Sequence, residues 1–148
     1  MDQKYINTNL LLEAGKEDVQ GKETLGGNSK YYVIDHSLKE LLFSNNIKDI
    51  NMALENIIYI ELLRRGYKVS VGYNKTKKID FVCRKNNKIE YYQVCYLLAD
   101  ETVTNREFGA YKGVNDNYPK FVLSLDEFDM SRNGIKHLNI IDFLLSEE

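Results

Sequence analysis

The stretch Tyr67–Leu98, YKVSVGYNKTKKIDFVCRKNNKIEYYQVCYLL, decides the fold. It is rich in Val, Ile, Tyr and Phe and is broken twice by polar turns, Asn74-Lys75 and Lys85-Asn86-Asn87-Lys88. That pattern predicts three consecutive strands, Tyr67–Tyr73, Lys78–Arg84 and Ile89–Leu98, joined as a meander. Side chains alternate along a strand. On that rule Ile79, Phe81 and Cys83 share one face, Asp80 shares the other with Val82, and Gln93 and Cys95 point the same way.

Helices flank the meander. Asp49–Arg65, DINMALENIIYIELLRR, has helical periodicity, a cap in Asp49 or Asn51, and Gly66 to stop it. It is apolar almost all round, so it should be mostly buried. Glu55 falls on the side of Ile58, Tyr59 and Leu62, and a carboxylate there needs a partner. Either it bonds a nearby Tyr, Lys or backbone amide, or it completes a site with Asp80. Asp100–Val114 reads as a second helix, capped by Thr102 or Thr104, with Phe108 and Tyr111 inward. Lys120–Leu125 is a fourth core strand, and Ile135–Ile141 and Asp142–Leu145 are a short strand and helix at the edge. Upstream, Lys30–Asp35 reads as a strand and Ser37–Phe43 as a turn or two of helix capped by Ser37. Residues 1–29 have weak periodicity and end in Gly26-Gly27-Asn28, so they read as a lead-in or linker before a domain spanning 30–148.

Helix, three strands, helix, strand is an αβββαβ order. The helical crossover makes the third and fourth strands parallel, while the meander is antiparallel. The fold class is therefore α/β, a mixed sheet flanked by helices.

Composition excludes several functions. The 148 residues suit one domain. No apolar run approaches the ~20 residues of a membrane span, and the N-terminus lacks a signal-peptide pattern, which favours the cytoplasm. Cys83 and Cys95 face opposite sides of the sheet and are reduced thiols. Gly15 with Gly21-Lys22 mimics a phosphate loop, but the spacing is off by one and Glu23 stands where Ser or Thr would hold magnesium, so ATP binding is rejected. His36 and His137 lack the companions of a zinc site. No Ser-His-Asp or Cys-His pattern is present. The net charge of −2 hides an asymmetry: Arg64–Lys88 carries nine Lys/Arg and one acid, Asp80. Such a block suits a phosphate backbone, with Lys75, Lys77, Lys78 and Arg84 as contacts and Arg106 reaching from the second helix. Alternatively, the lysines protect sheet edges and Arg106 pairs with surface acids.

An Asp on one strand, then a polar residue, any residue and a third position on the next, resembles the PD-(D/E)xK nuclease core. More closely, KYYVIDHSL (30–38), LENIIYIELLRRGYKVSVG (54–72), KKIDFVCR (77–84), YYQVCYLLADE (91–101), REFGAYKGVNDNYPKFVLS (106–124) and DMSRNGIKHLNIIDFLL (129–145) resemble the DUF4143 domain. That domain forms the C-terminal part of bacterial and archaeal AAA-type ATPases. The resemblance implies a restriction-endonuclease-like fold, DNA and the ATPase domain as partners, and magnesium or manganese held by Glu55, Asp80 and Gln93. Cys95 then falls where the nuclease pattern has its Lys. A thiol cannot supply that ammonium, and Gln for Glu removes a charge from the metal site. Lys75, Lys77 or Lys78 would have to reach in from the neighbouring strand. The resemblance thus implies a degenerate nuclease module that binds nucleic acid or a partner; the alternatives are an active magnesium-dependent DNA endonuclease and a protein-interaction domain.

Overall fold

The computed structural model describes residues 5–6, 11–33 and 46–147. The meander comprises β4 (Lys68–Asn74), β5 (Lys77–Lys85) and β6 (Lys88–Val94), each antiparallel to the next. Asn86 and Asn87 both take positive φ between β5 and β6, as a two-residue hairpin requires. β7 (Lys120–Ser124) runs parallel to β6, and β8 (Lys136–Asn139) parallel to β7. The expected αβββαβ order is therefore present, in a mixed α/β sheet.

The sheet extends in the opposite direction beyond the sequence reading. β1 (Tyr5–Ile6) and β3 (Glu23–Val33) pair antiparallel with β2 (Leu11–Asp18), which pairs parallel with β4. The stretch read as a lead-in thus contributes strands to the same sheet, and the boundary expected at residue 29 falls inside β3. Ala14 and Val19 are buried, which anchors β2. The strand expected at Lys30–Asp35 is the end of β3 as far as Val33. Ile34, Asp35 and the helix expected at Ser37–Phe43 lie outside the described residues.

α1 (Ile47–Arg64) starts two residues earlier than expected, because Asn46, not Asp49 or Asn51, is its cap. Its end follows the sequence. Gly66 has φ +84°, its N–H donates to Leu63 O and that of Tyr67 to Leu62 O, a Schellman closure. Ala53, Leu54, Ile58, Tyr59 and Leu62 of α1 are buried. Leu54, Ile58, Tyr59 and Leu62 share a core with Phe81, Cys83, Tyr92 and Val94 on one face of the sheet. α2 (Glu101–Gly109) is capped by Asp100 rather than by a threonine, through Val103 N–H. It covers the other face, where Phe108 and Tyr111 pack with Ile79, Val82, Tyr91 and Cys95. Cys83 and Cys95 lie on opposite faces as expected, buried and unpaired. α3 (Ile140–Leu145) closes the end beside β8. Among the described residues no helix is long and apolar enough to cross a membrane.

One irregularity positions the candidate site. Ser70 pairs with Val82 and Gly72 with Ile79, so a single β4 residue stands opposite Asp80 and Phe81 on β5. This bulge breaks the alternation expected for β5. Ile79 and Val82 face α2, and Phe81 and Cys83 face α1. The expectation that Ile79 and Phe81 share a face, with Asp80 opposite, is therefore corrected: Asp80 and Phe81 both lean toward α1. Gly72 makes room for the bulge, since a Cβ there would lie 2.7 Å from Val82 Cγ2 and 2.8 Å from Val19 Cγ2.

Candidate functional site

Four charged side chains meet between α1 and β5. Lys78 Nζ lies 2.5 Å from Asp80 Oδ1 and 3.3 Å from Glu55 Oε2. Lys30, from β3, pairs with the same Glu55 oxygen. Asp80 is buried, Glu55 nearly so, and both lysine heads are about one-third exposed. The sequence reading placed Glu55 on the core side of α1 with a lysine among its possible partners. The structure shows two.

Asp80 is fixed from both ends. Its Oδ2 accepts the Val94 N–H at 2.9 Å, and its own N–H donates to Gln93 Oε1 at 3.0 Å. The β5–β6 register reaches Phe81↔Tyr92 and goes no further. Beyond it, the two side chains take over the backbone groups that the bulge has pulled out of line. Gln93 alternates with Tyr91 and Cys95 on the α2 side, so it meets Asp80 through the backbone and not beside Glu55.

Burial and the nearby Glu55 carboxylate push the Asp80 pKa up to about 6, against the pull of Lys78. Burial opposes the charge on Lys78, but Asp80 and Glu55 outweigh it and hold its pKa above the ordinary value. Lys30 is shifted down, because burial and the Lys78 ammonium together exceed its attraction to Glu55. The cluster is thus balanced, two cations against two carboxylates.

Tyr32 closes the inner wall. Its ring stacks on Tyr59 with centroids 3.9 Å apart, and the Lys30 ammonium sits 5.0 Å from its ring centre. Its buried hydroxyl has no hydrogen-bond partner among the described residues. Burial first, then Glu55 and Asp80, raise its pKa. The sequence reading missed Lys30 and Tyr32 because β3 lies far from β5 in the chain. It raised Lys78 as a phosphate contact and as a residue that would have to reach in, not as the partner of Glu55 and Asp80. The spacing Lys78-x-Asp80 was the available signal, since two residues apart on a strand point one way.

The remaining expected site residues lie elsewhere. Cys95 is buried on the α2 side, and burial followed by Glu107, Asp126 and Asp80 drives its thiol pKa upward. It cannot act as a thiolate there. Arg84 makes a two-pronged ion pair with Glu17 at 2.5 Å per bond. Arg106 binds Glu107 beside it on α2. Lys77 donates to Gly109 O at 2.8 Å, capping the end of α2. Lys75 is exposed in the β4–β5 turn with φ +57°.

These donors do not fit a magnesium or manganese ion as they stand. Such ions require several oxygen ligands, chiefly carboxylates. Among the described residues no three of His, Cys, Asp or Glu gather to hold a metal. Glu55 and Asp80 do converge, but with the Lys78 ammonium between them, and the Gln93 oxygen accepts the Asp80 N–H from the α2 side.

A second polar cluster resembles a catalytic triad in composition only. Ser124, His137 and Asp126 are joined, with Ser124 Oγ 2.8 Å from His137 Nε2 and donating to Asp126 Oδ2 at 2.6 Å. His137 Nδ1 accepts the Met130 N–H. The Ser124 hydroxyl proton is therefore directed at Asp126 and not at the histidine. This direction is the reverse of what a nucleophilic serine requires.

The chain is 34% identical over 147 residues to an uncharacterized protein of Haemophilus influenzae, covering 96% of this chain and 36% of that protein. It is 43% identical over 94 residues to an uncharacterized protein of Methanocaldococcus jannaschii, covering 60% of this chain and 20% of that one. The chain therefore spans little more than a third of the length of the longer match. No family model matches it, and no solved structure does.

Proposed function

We propose that this chain is a nuclease-like domain of a larger AAA-type ATPase, that its metal site is degenerate, and that it acts by binding nucleic acid or a partner. The carrying observation is the pairing of Glu55 and Asp80 with Lys30 and Lys78. A cation site has become an ion-pair cluster, and Gln93 holds the bulge. The αβββαβ order and the much longer relatives are compatible with this reading. The exposed Lys75 and the edge of the β4–β5 turn are where a phosphate backbone would contact the chain.

The test is calorimetric titration with magnesium and with manganese, wild type beside Asp80→Ala, with plasmid and branched DNA cleavage on the same samples. The reading expects no saturable heat and no cleavage that depends on Asp80. It expects duplex DNA to bind with a salt slope that falls by about one when Lys75 is replaced by Ala. One observation favours the second reading, a working magnesium-dependent endonuclease: Lys78 puts an ammonium beside Asp80 that Cys95 does not supply. Metal binding and cleavage that both vanish in Asp80→Ala would establish it and refute the first.

A further inference from the structure

The groove between α3 and the loop after β7 is separate from the lysine–carboxylate cluster. It encloses about 460 Å3, and its walls include Phe128, Leu138 and Phe143 with Glu127, Asp129 and Asp142. Phe128 is 81% exposed. On α3, Ile141 and Leu145 are 51% and 77% exposed and directly precede the wall residues Asp142 and Ser146. One large apolar side chain thus lies open in the groove wall and two more on the adjoining helix, in a segment where an isolated exposed residue would carry no message.

The loop holding Phe128 is firmly tied. Asp126 accepts the Leu98 N–H and the Ser124 hydroxyl, and Asn139 Nδ2 donates to Asp126 O. Met130 N–H donates to His137, and Asp129 accepts the Ser131 N–H. A rigid loop loses little freedom when Phe128 is covered, which favours its use as an anchor.

Charge selects the occupant. From Asp126 to Glu147 the chain carries five carboxylates against Arg132 and Lys136. The Arg132 guanidinium lies over the Phe108 ring at 5.0 Å. Arg65, the cation on the α1 side, donates to the Phe143 and Ser146 carbonyls at the end of α3. The acidic rim repels nucleic acid and anionic lipid and attracts lysine and arginine.

We propose that this groove docks a basic amphipathic segment of a partner protein. Its apolar face covers Phe128 and Leu145, and its cations meet Glu127, Asp129 and Asp142. This assignment does not rest on the nuclease-like reading, since it uses a different face.

The experiment is fluorescence anisotropy on the full chain with a labelled amphipathic peptide of leucine and lysine, and with its leucine–glutamate counterpart. Phe128→Ala, Glu127→Lys and Leu145→Ala alter exposed side chains, and a circular-dichroism melt checks that each variant folds. The lysine peptide should bind and weaken with salt, the glutamate peptide should not, and Phe128→Ala should reduce affinity about tenfold or more. Glu127→Lys should reduce both affinity and salt dependence. Failure of the lysine peptide to bind at low salt overturns the proposal, as does binding that all three variants leave intact. Sedimentation showing a dimer that Leu145→Ala dissociates would assign the face to a second copy of this chain and overturn it equally.

Discussion

Replacing Asp80 by Asn tests whether the ionised Asp80 opposes folding. Asparagine keeps an oxygen for the Val94 N–H, and Lys78 keeps Glu55 as a partner. The folded carboxyl has its pKa raised from 3.8 to about 6. A raised acid pKa means that the native state holds the proton more tightly than the unfolded chain. Its stabilisation is complete below the unfolded value and is lost as pH rises through the folded one. Roughly two units at 1.36 kcal/mol each give about 3 kcal/mol lost by the wild type between about pH 4 and pH 6. The variant has no proton to lose at that position. Urea unfolding of both proteins at successive pH values gives the difference directly, and other titrating groups largely cancel. The stability of Asp80→Asn relative to wild type should rise by about 3 kcal/mol across that window, whatever its starting offset at acid pH. A flat difference, or one that falls with rising pH, would refute the reasoning. It would mean that the two lysines hold Asp80 ionised more firmly than burial and Glu55 oppose it.

The bulge and the buried polar groups give further tests. Gly72→Ala forces a methyl against Val82, Val19 and Ile79, and should cost about 1–3 kcal/mol in urea unfolding, the usual range for overpacking; an unchanged midpoint would mean that the bulge is soft. Tyr32→Phe removes a buried hydroxyl that has no partner among the described residues, so it should leave stability unchanged or raise it by about 1 kcal/mol. A loss of that size would mean that a group outside the described residues, water or a ligand holds the hydroxyl. Burial lowers the His137 pKa below its ordinary 6.5, so its contribution is present above that value and lost as pH falls toward the folded one. His137→Gln should lack that acid loss in the same unfolding series. Cys83 and Cys95, both with burial-raised pKa values, should react with a disulfide reagent only after denaturant is added.

The meander, the two main helices and the parallel β6–β7 pair were legible because each carries its own period and its own stop. Asn86-Asn87 and Gly66 are local signals and behave locally. The caps Asn46 and Asp100 are equally local, but competing Asp, Asn and Thr residues nearby obscured them. The hairpin of β2 and β3 was not legible. β3 is mostly exposed from Glu23 to Asn28, and the register slips between Ala14 and Lys16 where Gly26–Ser29 have no counterpart. Neither alternation nor helical periodicity survives such a break, so the segment resembled a linker.

The candidate site was half legible for a related reason. Glu55 and Asp80 lie on a long helix and a well-marked strand, and the structure brings them together through Lys78. Which way Asp80 points was decided by the partner strand. Gly72 leaves room for Val19, Ile79 and Val82 to close over it, and β5 accommodates this by carrying one extra residue opposite β4. A glycine inside a strand pattern is a recognised sign of a bulge or a close approach, so the clue stood in KVSVGYN. Once the bulge forms, Asp80 N–H needs an acceptor and Gln93 supplies it. The same glutamine is thereby turned to the backbone of β5, while Lys30 and Lys78 balance Glu55 and Asp80.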